Sequence, residues 1–84
     1  MRKLLYLMKS ATVPWSMLSE PRHADLDVSV ILIQEGVTLK QVHADHVYVL
    51  SEDAMNRGIT PAFPTVSYRD MVRMMFEADS VIAL

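Results

Sequence analysis

Two polar stretches that each follow an apolar run hold the residues best placed to bind a partner or a ligand. The first stretch follows residues 28–33, and the second follows an apolar segment that ends at Leu50. The apolar run 28–33 is mostly β-branched, which is typical of a strand covered on both faces, and open α/β sheets place their sites at the carboxyl ends of such strands. The candidate contact residues are Gln34, Glu35, Gly36, Val37 and Asp53.

Each of these candidates also has a structural explanation. Gln34 could meet a partner's active-site loop, but a turn in which Gly36 provides backbone freedom and Glu35 is solvated explains the same residues. Asp53 could contact a partner or ligand. Together with Glu52 it would also stabilise the first turn of a helix, where the backbone dipole favours negative charge. The sequence leaves both alternatives open.

Sequence motifs typical of metal sites, nucleophilic catalysis or nucleotide binding are weak or missing in this chain. A turn could bring together His43, Asp45 and His46, but no fourth ligand stands out, whereas zinc sites show three or four protein ligands. There is no Gly-x-Ser-x-Gly motif, and two glycines are too few for a phosphate loop or a dinucleotide fingerprint. The sequence therefore predicts a protein without cofactor or metal that is not an enzyme by itself.

Composition excludes several further classes of protein. The chain has 84 residues, which predicts a single domain over residues 1–84, and it contains no cysteine, so it forms no disulfide and carries no persulfide itself. Its net charge is −2, with no basic cluster larger than Arg2-Lys3, which argues against direct nucleic-acid binding. No apolar stretch is long enough to span a membrane, and the apolar run after Lys3 is too short for a signal peptide. We expect a cytoplasmic protein.

The apolar periodicity predicts an alternation of strands and mostly short helices. Five strands are expected, at residues 3–8, 27–33, 46–50, 65–66 and 81–84. Four helices are expected: from a cap at Ser10 or Thr12 to Pro21, over residues 36–42, from a cap at Ser51 to a stop at Gly58, and over residues 68–78. Strands that alternate with helices indicate an α/β fold with a small parallel sheet.

The last helix has the strongest pattern. Residues 67–70 resemble a capping box, and Arg73 and Glu77 are spaced for an ion pair on the outer side. Its inward face is predicted to consist of Met71, Met74, Met75 and Ala78, widened by Val72 and Phe76. The other three helices are short, so they would cover the sheet poorly. Because large exposed apolar patches usually mark partner surfaces, we expect a hetero-oligomer or a homodimer.

The order of these segments resembles a known family. A strand that ends at residues 32–37 is followed by residues 47–53, then Arg57-Gly58, residues 66–72 and the terminal residues 80–84. This order and spacing are similar to those of the DsrH/TusB group of sulfur-relay proteins. The resemblance covers residues 28–84 and is weaker before them, where the first helix is shorter than the family usually has.

The resemblance implies a three-layer α/β fold with a mainly parallel five-stranded sheet whose last strand lies beside the first. It also implies a subunit that joins DsrE/TusD-like and DsrF/TusC-like partners in sulfur transfer, either toward 2-thiouridine in tRNA modification or in sulfur oxidation. In such complexes the principal sulfur-carrying cysteine belongs to the DsrE/TusD-type subunit. Since this chain has no cysteine, it would be a structural or regulatory subunit.

Two other hypotheses remain open at this stage. The chain could be a standalone homodimer that binds a small ligand at the strand ends. It could also be a structural paralogue that has lost the sulfur function, which the missing cysteine permits.

Overall fold

The structure is a computed structural model that describes residues 2–9, 26–38, 42 and 44–83. The helix predicted between Ser10 or Thr12 and Pro21 lies outside these residues.

The described residues form one sheet of five parallel strands. The strands are β1 (Arg2–Met8), β2 (Leu26–Leu32), β3 (His46–Leu50), β4 (Thr65–Val66) and β5 (Ser80–Ala83). Their order across the sheet is β4-β3-β2-β1-β5, so the last strand pairs with the first. This confirms the predicted fold class, and each strand lies within one residue of its predicted bounds.

The central strand β2 is buried on both faces. Val28, Val30 and Leu32 face one apolar cluster, which also contains Val37 of the 3-10 helix Gln34–Thr38 and Ala54 of helix α1 (Ser51–Asn56). Residues of alternate parity in a strand point to opposite faces. Ile31 accordingly packs in a second cluster with Met71 of helix α2 (Tyr68–Glu77). Helical segments on both faces of the sheet make three layers.

The helix predicted at residues 36–42 was wrong in type and position. A 3-10 helix occupies Gln34–Thr38 instead. The N–H of Gly36 donates to the carbonyl oxygen of Ile33 at 2.9 Å, so the chain begins its tight helical turn directly after β2. Hydrogen bonds from residue i to residue i−3 define the 3-10 helix, which is usually only a few residues long.

Helix α1 begins without the predicted serine cap. Ser51 is its first residue, and Leu50, the last residue of β3, occupies the cap position with no side-chain hydrogen bond. The predicted cap at Ser51 was wrong because β3 continues directly into the helix, so Ser51 is already a helical residue.

The other end of α1 confirms the predicted glycine stop. Gly58 has a φ of 63°, and its N–H donates to the Met55 carbonyl at 3.1 Å. The N–H of Ile59 donates to the Ala54 carbonyl at 3.0 Å, and both of these side chains belong to one apolar cluster. This pair of bonds with its apolar contact is the Schellman arrangement, in which a left-handed residue ends a helix.

Helix α2 follows its predicted pattern in most respects. The Ser67 hydroxyl oxygen accepts the N–H of Asp70 at 3.1 Å, which confirms the cap. The predicted apolar residues that pack in the second cluster are Met71, Met74, Met75 and Ala78. Phe76 does not widen this face, because it is 86% exposed.

The predicted pair of Arg73 and Glu77 does not form. Arg73 Nη2 instead lies 2.8 Å from Asp70 Oδ1, one turn toward the start of the helix. Residues three and four apart are both neighbours on a helix, but an acid that precedes its cation is the more favourable orientation, and Asp70 precedes Arg73 whereas Glu77 follows it.

In the part of the chain that the structure describes, no helix has both the length and the apolar composition needed to cross a membrane.

Substitution of Gly58 tests the left-handed stop of α1. A side chain built on this glycine meets nothing within 4 Å, so its effect comes from the backbone alone. We expect Gly58→Ala to lower the free energy of unfolding by about 1 kcal/mol, measured by urea denaturation of the full chain. Gly58→Asn is the matched control and should lose less, since asparagine tolerates this conformation better. An equal loss in both variants would contradict the explanation.

Candidate functional site

The carboxyl edge of the sheet is where the predicted contact residues lie. The 3-10 helix follows β2, α1 follows β3, and α2 follows β4. Because the strands are parallel, these three segments begin at the same edge. The sequence therefore correctly placed Gln34 and Asp53 at one edge, although it gave no indication of how they interact.

Gln34 has an unusual backbone conformation. Its φ is 50°, and it is the one non-glycine residue with a positive φ in the described part of the chain. This left-handed conformation costs a residue with a side chain about 1–2 kcal/mol, so surrounding contacts must hold it. Such outliers cluster at sites where the backbone is held in place for a function.

Asp53 supplies one of those contacts. Its Oδ2 accepts the N–H of Gln34 at 2.7 Å, across 19 residues of sequence. The bond joins the start of α1 to the start of the 3-10 helix and offsets part of the backbone cost by about 1 kcal/mol. Asp53 therefore does more than stabilise the first turn of its own helix, because it also fixes the conformation of the neighbouring loop.

Glu52 makes the corresponding bond on the other side. Its Oε1 accepts the N–H of Tyr68 at 3.4 Å, at the start of α2. An N–H in the first turn of a helix has no partner within the helix, so an acidic side chain there satisfies both the donor and the helix dipole. The two adjacent acids of α1 thus connect the loops that follow β2 and β4, in opposite directions.

The candidates of the first polar stretch separate into two classes. Gln34 and Glu35 are exposed, whereas Gly36 and Val37 are buried, with Val37 only 1% exposed. Val37 packs in the apolar cluster below α1, so it supports the loop from inside. Backbone freedom is needed at Gln34 and not at Gly36, which corrects the turn expected from the sequence.

Two exposed side chains on the helices that begin at this edge were not among the sequence candidates. Met55 of α1 is 79% exposed and Tyr68 at the start of α2 is 61% exposed. Since Ala54 points into the core, the next residue of a helix points about 100° away, and this geometry could have identified Met55. We call the exposed residues Gln34, Glu35, Met55 and Tyr68 the carboxyl-edge surface.

The residues considered for a metal are engaged elsewhere or are not described. His43 lies outside the described residues. Asp45 Oδ2 accepts the N–H of Val28 at 2.9 Å, and His46 Nε2 lies 3.1 Å from Asp27 Oδ1. Among the residues with a described structure, no group of three or more histidine, aspartate and glutamate side chains could hold a metal ion.

The comparisons with known proteins add no family or relative. No family model matches the chain, and no curated protein matches it significantly. The resemblance to the DsrH/TusB group therefore rests on the residues given above.

Replacement of Asp53 tests whether it holds the loop. We expect Asp53→Ala to lower the free energy of unfolding by about 1 kcal/mol, because the Gln34 N–H loses its acceptor. The amide of Gln34 should then exchange its hydrogen faster, which NMR hydrogen exchange measures at that residue. Glu35→Ala removes an exposed acid beside the same loop and should change stability by less than about 0.5 kcal/mol. Unchanged exchange at Gln34 in Asp53→Ala would refute this role.

Proposed function

We propose that this chain is a non-catalytic, cytoplasmic subunit of a sulfur-relay complex, bound to DsrE/TusD-like and DsrF/TusC-like partners that carry the reactive cysteines. The complex would serve either 2-thiolation of tRNA or sulfur oxidation. The parallel sheet with its last strand beside the first is the architecture that the family resemblance implies, so the fold supports the proposal.

The observation that carries the proposal is the carboxyl-edge surface. Its two large side chains, Met55 and Tyr68, are 79% and 61% exposed, and methionine and tyrosine are enriched in protein interfaces. Gln34 and Glu35 are also exposed, on a loop that Asp53 holds in place. A surface whose backbone is already fixed loses little conformational entropy when a partner binds, which favours association.

The composition decides which role in the relay suits this chain. Persulfide transfer needs a thiolate, and the chain contains no cysteine. Its part in the complex would therefore be to position the partners. The acids Glu52 and Asp53 already accept backbone N–H groups, so the polar groups that the carboxyl-edge surface offers to a partner are the side chains of Gln34, Glu35 and Tyr68.

Affinity purification of the tagged chain from its own host, followed by mass spectrometry and sizing, tests the proposal. We expect two small cysteine-bearing homologues in a stable complex. Recovery of a homodimer without such partners would overturn the sulfur-relay function.

Variants of the carboxyl-edge surface test where the partners bind. Gln34→Ala and Met55→Ala should each weaken assembly by about tenfold and leave thermal stability nearly unchanged, since both side chains are exposed. Phe76→Ala is the matched control, because Phe76 is equally exposed, at 86%, but lies near the far end of α2. If Phe76→Ala weakened assembly and Met55→Ala did not, the interface would lie elsewhere.

A further inference from the structure

A groove of about 340 Å³ lies on the face of the sheet that α2 covers. Its sheet residues lie mainly toward the amino ends of β1, β2 and β3, while Val66 and Asp70 of its lining lie near the start of α2. Five polar side chains of the sheet line it, together with three from α2. Those of the sheet are Lys3, Asp27, Ser29, His46 and Tyr48.

The register of the sheet brings these polar residues together. Lys3 of β1 pairs with Asp27 of β2, and Ser29 of β2 pairs with His46 of β3. Residues two apart in a strand share a face, so Asp27 and Ser29 point the same way as Ile31, toward α2. Central strands of parallel sheets are usually apolar along their whole length, and this concentration of polar groups departs from that pattern.

Helix α2 forms the other wall of the groove. It is 10 residues long, and its apolar residues pack toward the ends of the strands where Leu50 and Val66 lie. The side of α2 that faces the polar part of the sheet contributes Asp70, Arg73 and Glu77. Among the described helices, α2 is the one that packs on this face, and Asp27, Ser29, His46 and Tyr48 remain at least partly exposed.

The groove contains charges of both signs, and some are already paired. Arg73 Nη2 lies 2.8 Å from Asp70 Oδ1, and His46 Nε2 lies 3.1 Å from Asp27 Oδ1. Within the described residues, the side chains of Lys3 and Glu77 form no ion pair. The groove thus presents one unpaired cation and one unpaired anion, so neither a simple anion nor a simple cation matches it.

We infer that this groove binds a small zwitterion, a free α-amino acid with an apolar side chain. Lys3 would donate to the carboxylate of the ligand, and Glu77 would accept from its ammonium group. Met74 and Ala78 also line the groove, are partly exposed, and offer apolar surface for the ligand's side chain. Pockets that bind small molecules usually have a volume of about 300–1,000 Å³, apolar walls and a few convergent polar groups. The volume of this groove, about 340 Å³, lies in that range.

This inference is independent of the proposed relay function, because none of the residues of the carboxyl-edge surface lines the groove. The isolated full chain can therefore be tested without partners. A failure of ligand binding would leave the assembly experiment unaffected, and the converse also holds.

Titration of the ¹⁵N-labelled chain with free amino acids, followed by NMR, tests the inference. L-leucine and L-phenylalanine are the first probes, followed by the other standard amino acids. We expect saturable shifts of the Lys3, Ser29 and Tyr48 amides at ligand concentrations up to about 1 mM. N-acetyl-leucine and leucine methyl ester each lack one charge and should bind at least about tenfold more weakly.

Variants of the protein provide the reciprocal test. Lys3→Met should lose discrimination against the methyl ester, and Glu77→Gln should lose discrimination against the N-acetyl compound. Glu35→Gln removes a matched exposed acid of the carboxyl-edge surface and should bind like the wild type. The inference is overturned if no standard amino acid gives saturable shifts, if the blocked compounds bind equally well, or if the shifts occur at the carboxyl edge.

Discussion

Burial of β2 on both of its faces is the constraint on which the rest of this structure depends. Val30 and Ile31 are neighbours in the chain, point to opposite faces, and are both fully buried. Each face therefore needs its own cover, from α1 and the 3-10 helix on one side and from α2 on the other. With the strands all parallel, the segments that provide this cover must begin at the carboxyl edge, which concentrates loops and helix starts there.

Two adjacent acids organise that crowded edge. Helix α1 has only six residues, so it contributes little stability through its own backbone bonds. Its first turn nevertheless supplies the acceptors for the N–H groups of Gln34 and Tyr68. A helix that begins directly from a strand can thus connect the loops of its two neighbouring strands. The bond from Asp53 holds Gln34 in its left-handed conformation, and the side chain of Gln34 is exposed.

The two faces of the sheet differ in how completely they are covered. On the face of α1, the residues of β2 are apolar along the strand, from Val28 to Leu32. On the face of α2, Ile31 is buried but Ser29 and Asp27 line an open groove. The carboxyl-edge surface and the proposed ligand groove share no residue, so occupation of one would not directly block the other.

The sequence by itself determined the positions of the strands and the α/β fold class, because apolar runs with β-branched residues are a local property. It also determined the glycine stop at Gly58 and the serine cap at Ser67, which depend on the conformational preferences of single residues. Only the tertiary structure decided that Gln34, and not Gly36, takes the left-handed backbone, since the bond from Asp53 comes from 19 residues away. The register of the strands likewise brought Lys3, Asp27 and His46 to one groove. This register pairs residues that are distant in sequence, so local sequence patterns could not predict it.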